Sequence, residues 1–142
     1  MSQELPVGEQ EYAGQRLGLP PDGSGSVAGW GRRVVALFID WFGSLLVTQV
    51  IAATVDLNPD TERSLPLLVF FVEVTLFTAL AGGSFGQLAL RIAVVRLDRR
   101  PVTVLTAALR TLLICLVVPP VVFNRDNRGL HDLAAGTITL RR

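Results

Sequence analysis

Three long apolar runs alternate with short polar segments along this chain of 142 residues. The runs extend from about Val34 to Val55, from Leu65 to Ala81 and from Val104 to Phe123. Each is roughly 16 to 22 residues long, close to the length that crosses the hydrocarbon core of a bilayer as a helix. They are too continuous for helices that lie half-buried on a soluble protein. The pattern therefore predicts an all-α integral membrane protein with about three transmembrane helices, 34–55, 65–81 and 104–123.

The segments outside these runs are polar. Residues 1–28 predict a flexible tail, because the stretch LGLPPDGSGS at 17–26 is rich in glycine, proline and serine. Residues 29–142 then form the membrane domain. The stretch Ile92 to Leu97 is compatible with either a short strand or an interfacial helix, and residues 124–142 predict a short polar tail.

The arginine distribution predicts how the chain is oriented. Arg32 and Arg33 precede the first run, and the 82–103 loop contains four arginines, whereas the 56–63 loop has one arginine and three acids. Since positive residues are retained on the cytoplasmic side, the N-terminus and the 82–103 loop are expected in the cytoplasm.

The third run leaves two topologies open. A full span would export the last segment, although that segment carries four arginines, which favour the cytoplasm. Alternatively, the run re-enters the membrane and returns after Pro119-Pro120, because proline breaks a helix. Arg110 inside the run makes it the weakest of the three spans.

Three charged residues lie inside the apolar runs: Asp40, Glu73 and Arg110. A charge at the centre of such a helix costs at least about 2.5–3.5 kcal/mol. At ~1.5 Å per residue, all three lie about 9–12 Å from the expected cytoplasmic side. We therefore expect them to form a buried cluster in which Arg110 pairs with one of the acids. Arg33, two helical turns before Asp40, would lie at its mouth.

Three roles for this cluster remain open. It could only fix how the helices pack. It could form a proton or cation relay, or a path for a polar substrate, through Asp40 and Glu73. In the third case Arg110 extends to the membrane surface and takes no part in a cluster.

A second polar group, which includes Arg128, His131 and Asp132, follows the third run. A histidine beside an aspartate suggests acid–base chemistry, but no serine or cysteine nucleophile stands at a recognisable spacing, so we expect no catalytic site. Asp132 is expected to bond to arginine or backbone amides, and it can reach Arg33 if the segment folds back. No metal-ligand spacing or phosphate-binding loop is present, so neither a metal nor another cofactor is expected. The net charge of +1 gives no field to attract nucleic acid.

These residues resemble the motifs of the RDD family of small bacterial membrane proteins, named for one arginine and two aspartates. Arg33 and Asp40 in RRVVALFIDW match the first two, and Asp132 in RGLHDLAAGT matches the third. The similarity covers roughly residues 12–142, and the sequence RLGLPPDGSGSVAGWGRR resembles actinobacterial members. The resemblance implies a multi-pass protein of the bacterial plasma membrane, with transport suggested for some members.

Two functions remain open at this stage. The first is an accessory or interaction subunit of the membrane that works with another membrane protein or as a homo-oligomer. The second is a homo-oligomeric transporter of ions or small solutes that uses Asp40 and Glu73 as a relay. In either case the bilayer itself is an expected partner.

Overall fold

The computed structural model describes residues 10–116 and 126–142. A short 3-10 turn, Gln15–Leu17, precedes the main elements. In chain order these are α1 (Trp30–Thr54), α2 (Pro59–Ala81), α3 (Phe85–Ala89), β1 (Ile92–Arg96), α4 (Val104–Cys115), α5 (Leu130–Ala135) and β2 (Thr137–Arg141).

Helices α1 and α2 form the two long apolar elements, and each is long and apolar enough to cross a membrane. Helix α2 begins earlier than expected, at Pro59 rather than near Leu65. The Asn58 side chain accepts a hydrogen bond from the Thr61 amide (2.9 Å) and caps the helix, and proline suits the first helical position. The helix ends at Ala81, and the next residue, Gly82, adopts the left-handed conformation that favours glycine (φ 79°).

The helical pair has two ends that differ in their surroundings. We call the end where α1 begins and α2 finishes the polar end, and the end where α1 passes into α2 the loop end. Helix α3 follows α2 directly and packs against α1 at the polar end. The contact is close, because a Cβ placed on Gly86 would lie 2.2 Å from the Ala36 carbonyl oxygen.

The fold is mostly helical, as expected, but a two-stranded antiparallel sheet also lies at the polar end, so the fold is not all-α. Strand β1 pairs with β2, with Ile92 opposite Arg141 and Arg96 opposite Thr137. Both strands are rich in β-branched residues, which suit a pleated surface. The last segment, expected as a polar tail, thus contains a helix and a strand that pairs with the 82–103 region.

The expectation of a flexible tail through residue 28 also needs correction for residues 10–28. The amides of Gly25 and Ala28 donate to the carbonyl oxygens of Arg141 (2.8 Å) and Thr139 (2.9 Å), and Val27 forms an isolated bridge with Leu140. Since these backbone groups extend the pairing at β2, the segment is tied to the sheet. Residues 1–9 lie outside the described residues.

Helix α4 is the shorter apolar helix, with 12 residues. It was expected to run from 104 to 123, but the described helix ends at Cys115, and residues 117–125, with the proline pair, lie outside the described residues. Its Ile114 packs with Phe70 and Val74 of α2 in a small buried cluster. The described residues therefore form two long apolar helices and a shorter one, together with the short helices α3 and α5 and a two-stranded sheet at the polar end.

Candidate functional site

Asp132 is the centre of a buried polar cluster at the polar end, with none of its surface exposed. Its Oδ1 accepts from Arg110 Nε (3.0 Å) and Thr137 Oγ1 (2.8 Å). Its Oδ2 accepts from Arg33 Nη1 (3.4 Å) and Thr139 Oγ1 (3.4 Å). One carboxylate thus joins α1, α4, α5 and β2.

The local structure explains how these groups converge. Asp132 lies in the first turn of the short helix α5, which ends at Gly136 in the left-handed conformation (φ 67°). Strand β2 starts immediately afterwards. Thr137 and Thr139 are two residues apart in that strand, so both side chains point to the same face, where Asp132 lies.

Arg128 and His131 complete the surroundings of Asp132. Arg128 Nε donates to the Thr137 carbonyl oxygen (2.9 Å), and its Nη2 donates to the Asp132 carbonyl oxygen (3.3 Å). His131 Nε2 lies 3.7 Å from Asp132 Oδ2. Burial alone would raise the pKa of Asp132, but Arg110, His131 and Arg33 together hold that pKa well below its usual range. Asp132 is therefore a carboxylate at neutral pH.

Arg110 is almost completely buried, with 2 % of its surface exposed. Besides its bond to Asp132, its Nη2 donates to Thr139 Oγ1 (3.4 Å). Its remaining terminal nitrogen, Nη1, is buried and has no hydrogen-bond partner among the described residues. Arg110 thus has one donor group that the described part of the chain leaves unused.

Asp40 makes a second set of contacts, to the segment just after α2. Its Oδ2 accepts from Ser84 Oγ (2.5 Å), and its Oδ1 accepts from the Gly86 amide (2.6 Å). Ser84 also caps α3, in a capping box with Gln87. The carboxylate of Asp40 therefore fastens α1 to the start of α3.

Glu73 is half-buried and contacts the same segment. Its Oε1 accepts from the Phe85 amide (3.1 Å), whereas its Oε2 is buried without a partner among the described residues. The expected ion pair of Arg110 with Asp40 or Glu73 is not formed among the described residues, because Asp132 occupies that position instead. Both acids of the long apolar helices bind backbone amides of α3 rather than the arginine.

Several partners in the site were missed by the sequence reasoning. Ser84, Gly86 and Thr139 carry no charge and were not expected in the site, and Thr137 was identified only as the last residue of the RGLHDLAAGT motif. A signal was present for Ser84, because a serine followed three residues later by Gln87 is a capping-box pattern at a helix start. The motif contained Thr137 but did not indicate its partner, and Thr139 gave no signal, because the bonds of both threonines to Asp132 depend on the position of strand β2.

A cavity of about 370 Å³ lies between α1, α2 and α4. Most of its wall is apolar and includes Phe38, Trp41 and Phe70, and its polar lining residues are Arg33, Asp40, Ser84, Gln87, Arg110 and His131. In the described part of the chain, no group of three or more histidine, cysteine, aspartate or glutamate residues is arranged to hold a metal ion.

The comparison with known families agrees with the motif residues. The model of the RDD family matches residues 27–136, a range that contains Arg33, Asp40 and Asp132. No curated protein and no solved structure matches the chain. Since the family match covers well over half of the sequence, the chain belongs to the RDD family of membrane proteins.

Proposed function

We propose that this protein is a multi-pass protein of the bacterial plasma membrane that acts as a non-enzymatic subunit, together with a second copy or another membrane protein. The main support is that the Asp132 carboxylate is fully buried and bonded to Arg33 and Arg110. Charges used in this way hold α1, α4 and α5 in one arrangement. A cluster that holds three helices in one arrangement is suited to fixing a surface for association.

The proposed topology has a cytoplasmic N-terminus and a third apolar run that re-enters the membrane instead of crossing it. The pairing of β1 with β2 supports this topology, because it keeps the last segment beside the 82–103 region. The arginines of both regions favour the cytoplasm. Helices α1 and α2 are then the two full spans.

The proposed contact surface is a stripe of exposed apolar side chains on α1. Phe42, Leu46 and Val50 follow one another at intervals of four residues and are each more than 60 % exposed. Residues at this spacing form a ridge along a helix, and such ridges pack into the grooves of a neighbouring helix. Within the described residues, a single copy offers two long helices and one shorter one, too few to enclose a path across a membrane, which also favours association.

Cysteine cross-linking in native membranes tests the association. In a Cys115→Ala background, Leu46→Cys should cross-link to a second copy or to another membrane protein. Leu68→Cys is the matched control, because Leu68 is also exposed and lies at a similar depth on α2. Equal or absent cross-linking at the two positions would contradict the proposed surface.

The alternative function is a homo-oligomeric transporter of ions or small solutes. The observation in its favour is that Asp40 lines the cavity and that a buried oxygen of Glu73 has no partner among the described residues. Flux measurements in proteoliposomes distinguish the two functions. Cation-dependent proton movement that is lost in Asp40→Asn and in Glu73→Gln would favour transport, whereas a stable complex without flux favours the subunit.

A further inference from the structure

The cavity between α1, α2 and α4 has the proportions of a site for an elongated molecule. Its wall includes Trp30, at the start of α1, and Trp41, eleven residues further on, which corresponds to about 16 Å along the helix at ~1.5 Å per residue. Trp30 and Phe38 are each more than half exposed, so the cavity opens at its side. Helix α1 is apolar and long enough to span a membrane, and an opening along the side of a spanning helix would face the bilayer.

The polar end of the cavity presents a hydrogen-bond donor that has no acceptor. Arg110 lines the cavity and is 2 % exposed, and its Nη1 has no partner among the described residues. A buried donor of this kind costs free energy when it stays unpaired, and a charged donor costs more than a neutral one. An acceptor oxygen on a bound molecule would remove that cost.

The unpaired donor belongs to a cation, so an acceptor with a negative charge suits it best. Two guanidinium groups line the cavity, those of Arg33 and Arg110, against one carboxylate, that of Asp40. Asp132 lies behind the wall and is shared by both arginines, so its single negative charge is divided between two cations. Both oxygens of Asp40 are already bonded to α3 and its cap, so that carboxylate does not neutralise Arg110 directly.

We propose that this cavity binds one anionic membrane lipid. The acyl chain lies along the apolar wall, and a phosphate oxygen of the headgroup accepts from Arg110 Nη1, since guanidinium groups pair well with phosphate. A free phosphate ion would gain nothing from the apolar wall, whereas a lipid uses both parts of the cavity. This site goes beyond the proposed subunit function and does not depend on it.

Tryptophan fluorescence provides the test, because the two tryptophans of the chain, Trp30 and Trp41, both line the cavity. The full chain is reconstituted into phosphatidylcholine vesicles that contain a small, equal fraction of either brominated phosphatidylglycerol or brominated phosphatidylcholine. Bromine quenches tryptophan only at short range. We expect the anionic lipid to quench at least about twofold more strongly, because a bound headgroup is enriched over its bulk fraction.

Two variants probe the two parts of the site. Arg110→Lys retains a positive charge beside Asp132 but lacks the unused donor, and Cys115→Phe fills part of the apolar wall. Leu112→Phe is the control, because Leu112 is exposed on the same helix and is not part of the wall. The first two variants should lose the preference for the anionic lipid, and the control should keep it.

Two results would overturn the proposal. One is equal quenching by both brominated lipids in the unaltered protein, which means that the cavity does not select an anionic headgroup. The other is a preference that persists in both Arg110→Lys and Cys115→Phe, which assigns it to the protein surface. Circular dichroism of each variant, with native-like helix content required, ensures that a lost preference reflects the site and not unfolding.

Discussion

The polar end and the loop end of the helical pair use their polar side chains in opposite ways. At the polar end, Arg33 and Asp40 of α1 and Glu73 of α2 bond to groups on other elements. Towards the loop end, Thr48 and Thr54 donate to carbonyl oxygens of their own helix, at 2.8 Å to Ser44 and 3.1 Å to Val50. These local bonds satisfy the hydroxyl groups but do not join helices.

This difference indicates where the specificity of the fold resides. Inside a bilayer, apolar side chains gain little by leaving lipid for another helix, so the arrangement depends on close packing and on polar contacts. In this chain those contacts are concentrated at the polar end. Substitutions there should therefore cost far more than substitutions at the loop end, which leaves more of its surface to lipid or to a partner.

The largest expected effect is all-or-none and concerns the side of the membrane on which each end lies. Reporter fusions near residue 98 and at residue 142 should both report the cytoplasm, because β1 and β2 pair. Fusions after residue 60, at the loop end, should report the opposite side. If the fusion at residue 142 reports the same side of the membrane as the fusion after residue 60, the third run crosses the membrane and the comparison of the two ends fails.

Next in size is Asp132→Asn, which removes the carboxylate that Arg33 and Arg110 share. Breaking a buried ion pair in this way costs about 3–5 kcal/mol in soluble proteins, so the free energy of unfolding in detergent should fall by up to that amount. The control is Asp98→Asn, whose exposed ion pair with Arg96 lies in a turn and should matter little. Similar losses in the two variants would contradict the central role of Asp132.

A double-mutant cycle refines this result. Arg110→Met combined with Asp132→Asn should be less destabilising than the sum of the single changes. Each single change leaves one charge of the Arg110–Asp132 pair without its partner, and the double change removes both charges. Arg110→Met combined with Glu73→Gln should be closer to additive, since no ion pair joins that couple among the described residues. Strict additivity in the first cycle would mean that the pair contributes nothing.

The dependence of stability on pH follows from the lowered pKa of Asp132. An aspartate with a folded-state pKa below the ordinary value of about 3.9 stabilises the fold fully above that value. Its contribution disappears only as the pH falls through the lower folded-state pKa. Denaturation curves should thus show no Asp132-dependent loss between neutral pH and about pH 5, and Asp132→Asn should flatten the acid side of the profile.

A smaller effect is expected from Gly86→Ala at the polar end. The added Cβ would lie 2.2 Å from the Ala36 carbonyl oxygen and 3.0 Å from Asp40 Oδ1, so α3 must move away from α1. Overpacking of this kind costs typically about 1–3 kcal/mol. Gly43→Ala is the matched control within α1, because nothing lies within 4 Å of its Cβ position and alanine is the better helix former. Equal melting temperatures for the two variants would show that α3 is not held tightly.

The smallest change is expected for Thr54→Val at the loop end. It removes a hydroxyl that bonds only to carbonyl oxygens of its own helix, and Thr54 is exposed. The free energy of unfolding should change by no more than about 0.5 kcal/mol. A loss as large as that of Gly86→Ala would remove the contrast between the two ends.

The long helices were predictable because apolar length alone identifies them. The boundaries of these helices were harder to predict. Polar residues such as Asp60 and Glu62 are typical of a loop, but they lie in the first turn of α2. In the structure the Asn58 side chain caps α2 and fixes its first residue at Pro59. From the sequence alone, Asn58-Pro59 can be interpreted either as a turn or as a helix start. Acidic residues in a first turn are favourable there because of the helix dipole.

The charge partners were only partly predictable. Depth along a helix correctly grouped the charges at one end, but it does not specify which acid faces Arg110. That choice depends on Asp132, which reaches the cluster through α5 and the pairing of β1 with β2. The register of two five-residue strands, Ile92 opposite Arg141, is a long-range property that local patterns do not encode. Residues 10–28 were expected to be a tail because their partners, in β2, are also distant in the sequence.

The shared carboxylate of Asp132 has a consequence for the biogenesis of the protein. Asp132 follows Arg33 by 99 residues, which corresponds to about 5–20 seconds of synthesis at ~5–20 residues per second. During this interval α1 and α2 can enter the membrane, but Arg33, and later Arg110, have no ion pair because Asp132 has not yet been synthesised. A nascent chain that stalls between Arg110 and Asp132 would lack the carboxylate that joins α1 to α4, so the two arginines could not yet fix the arrangement of the helices.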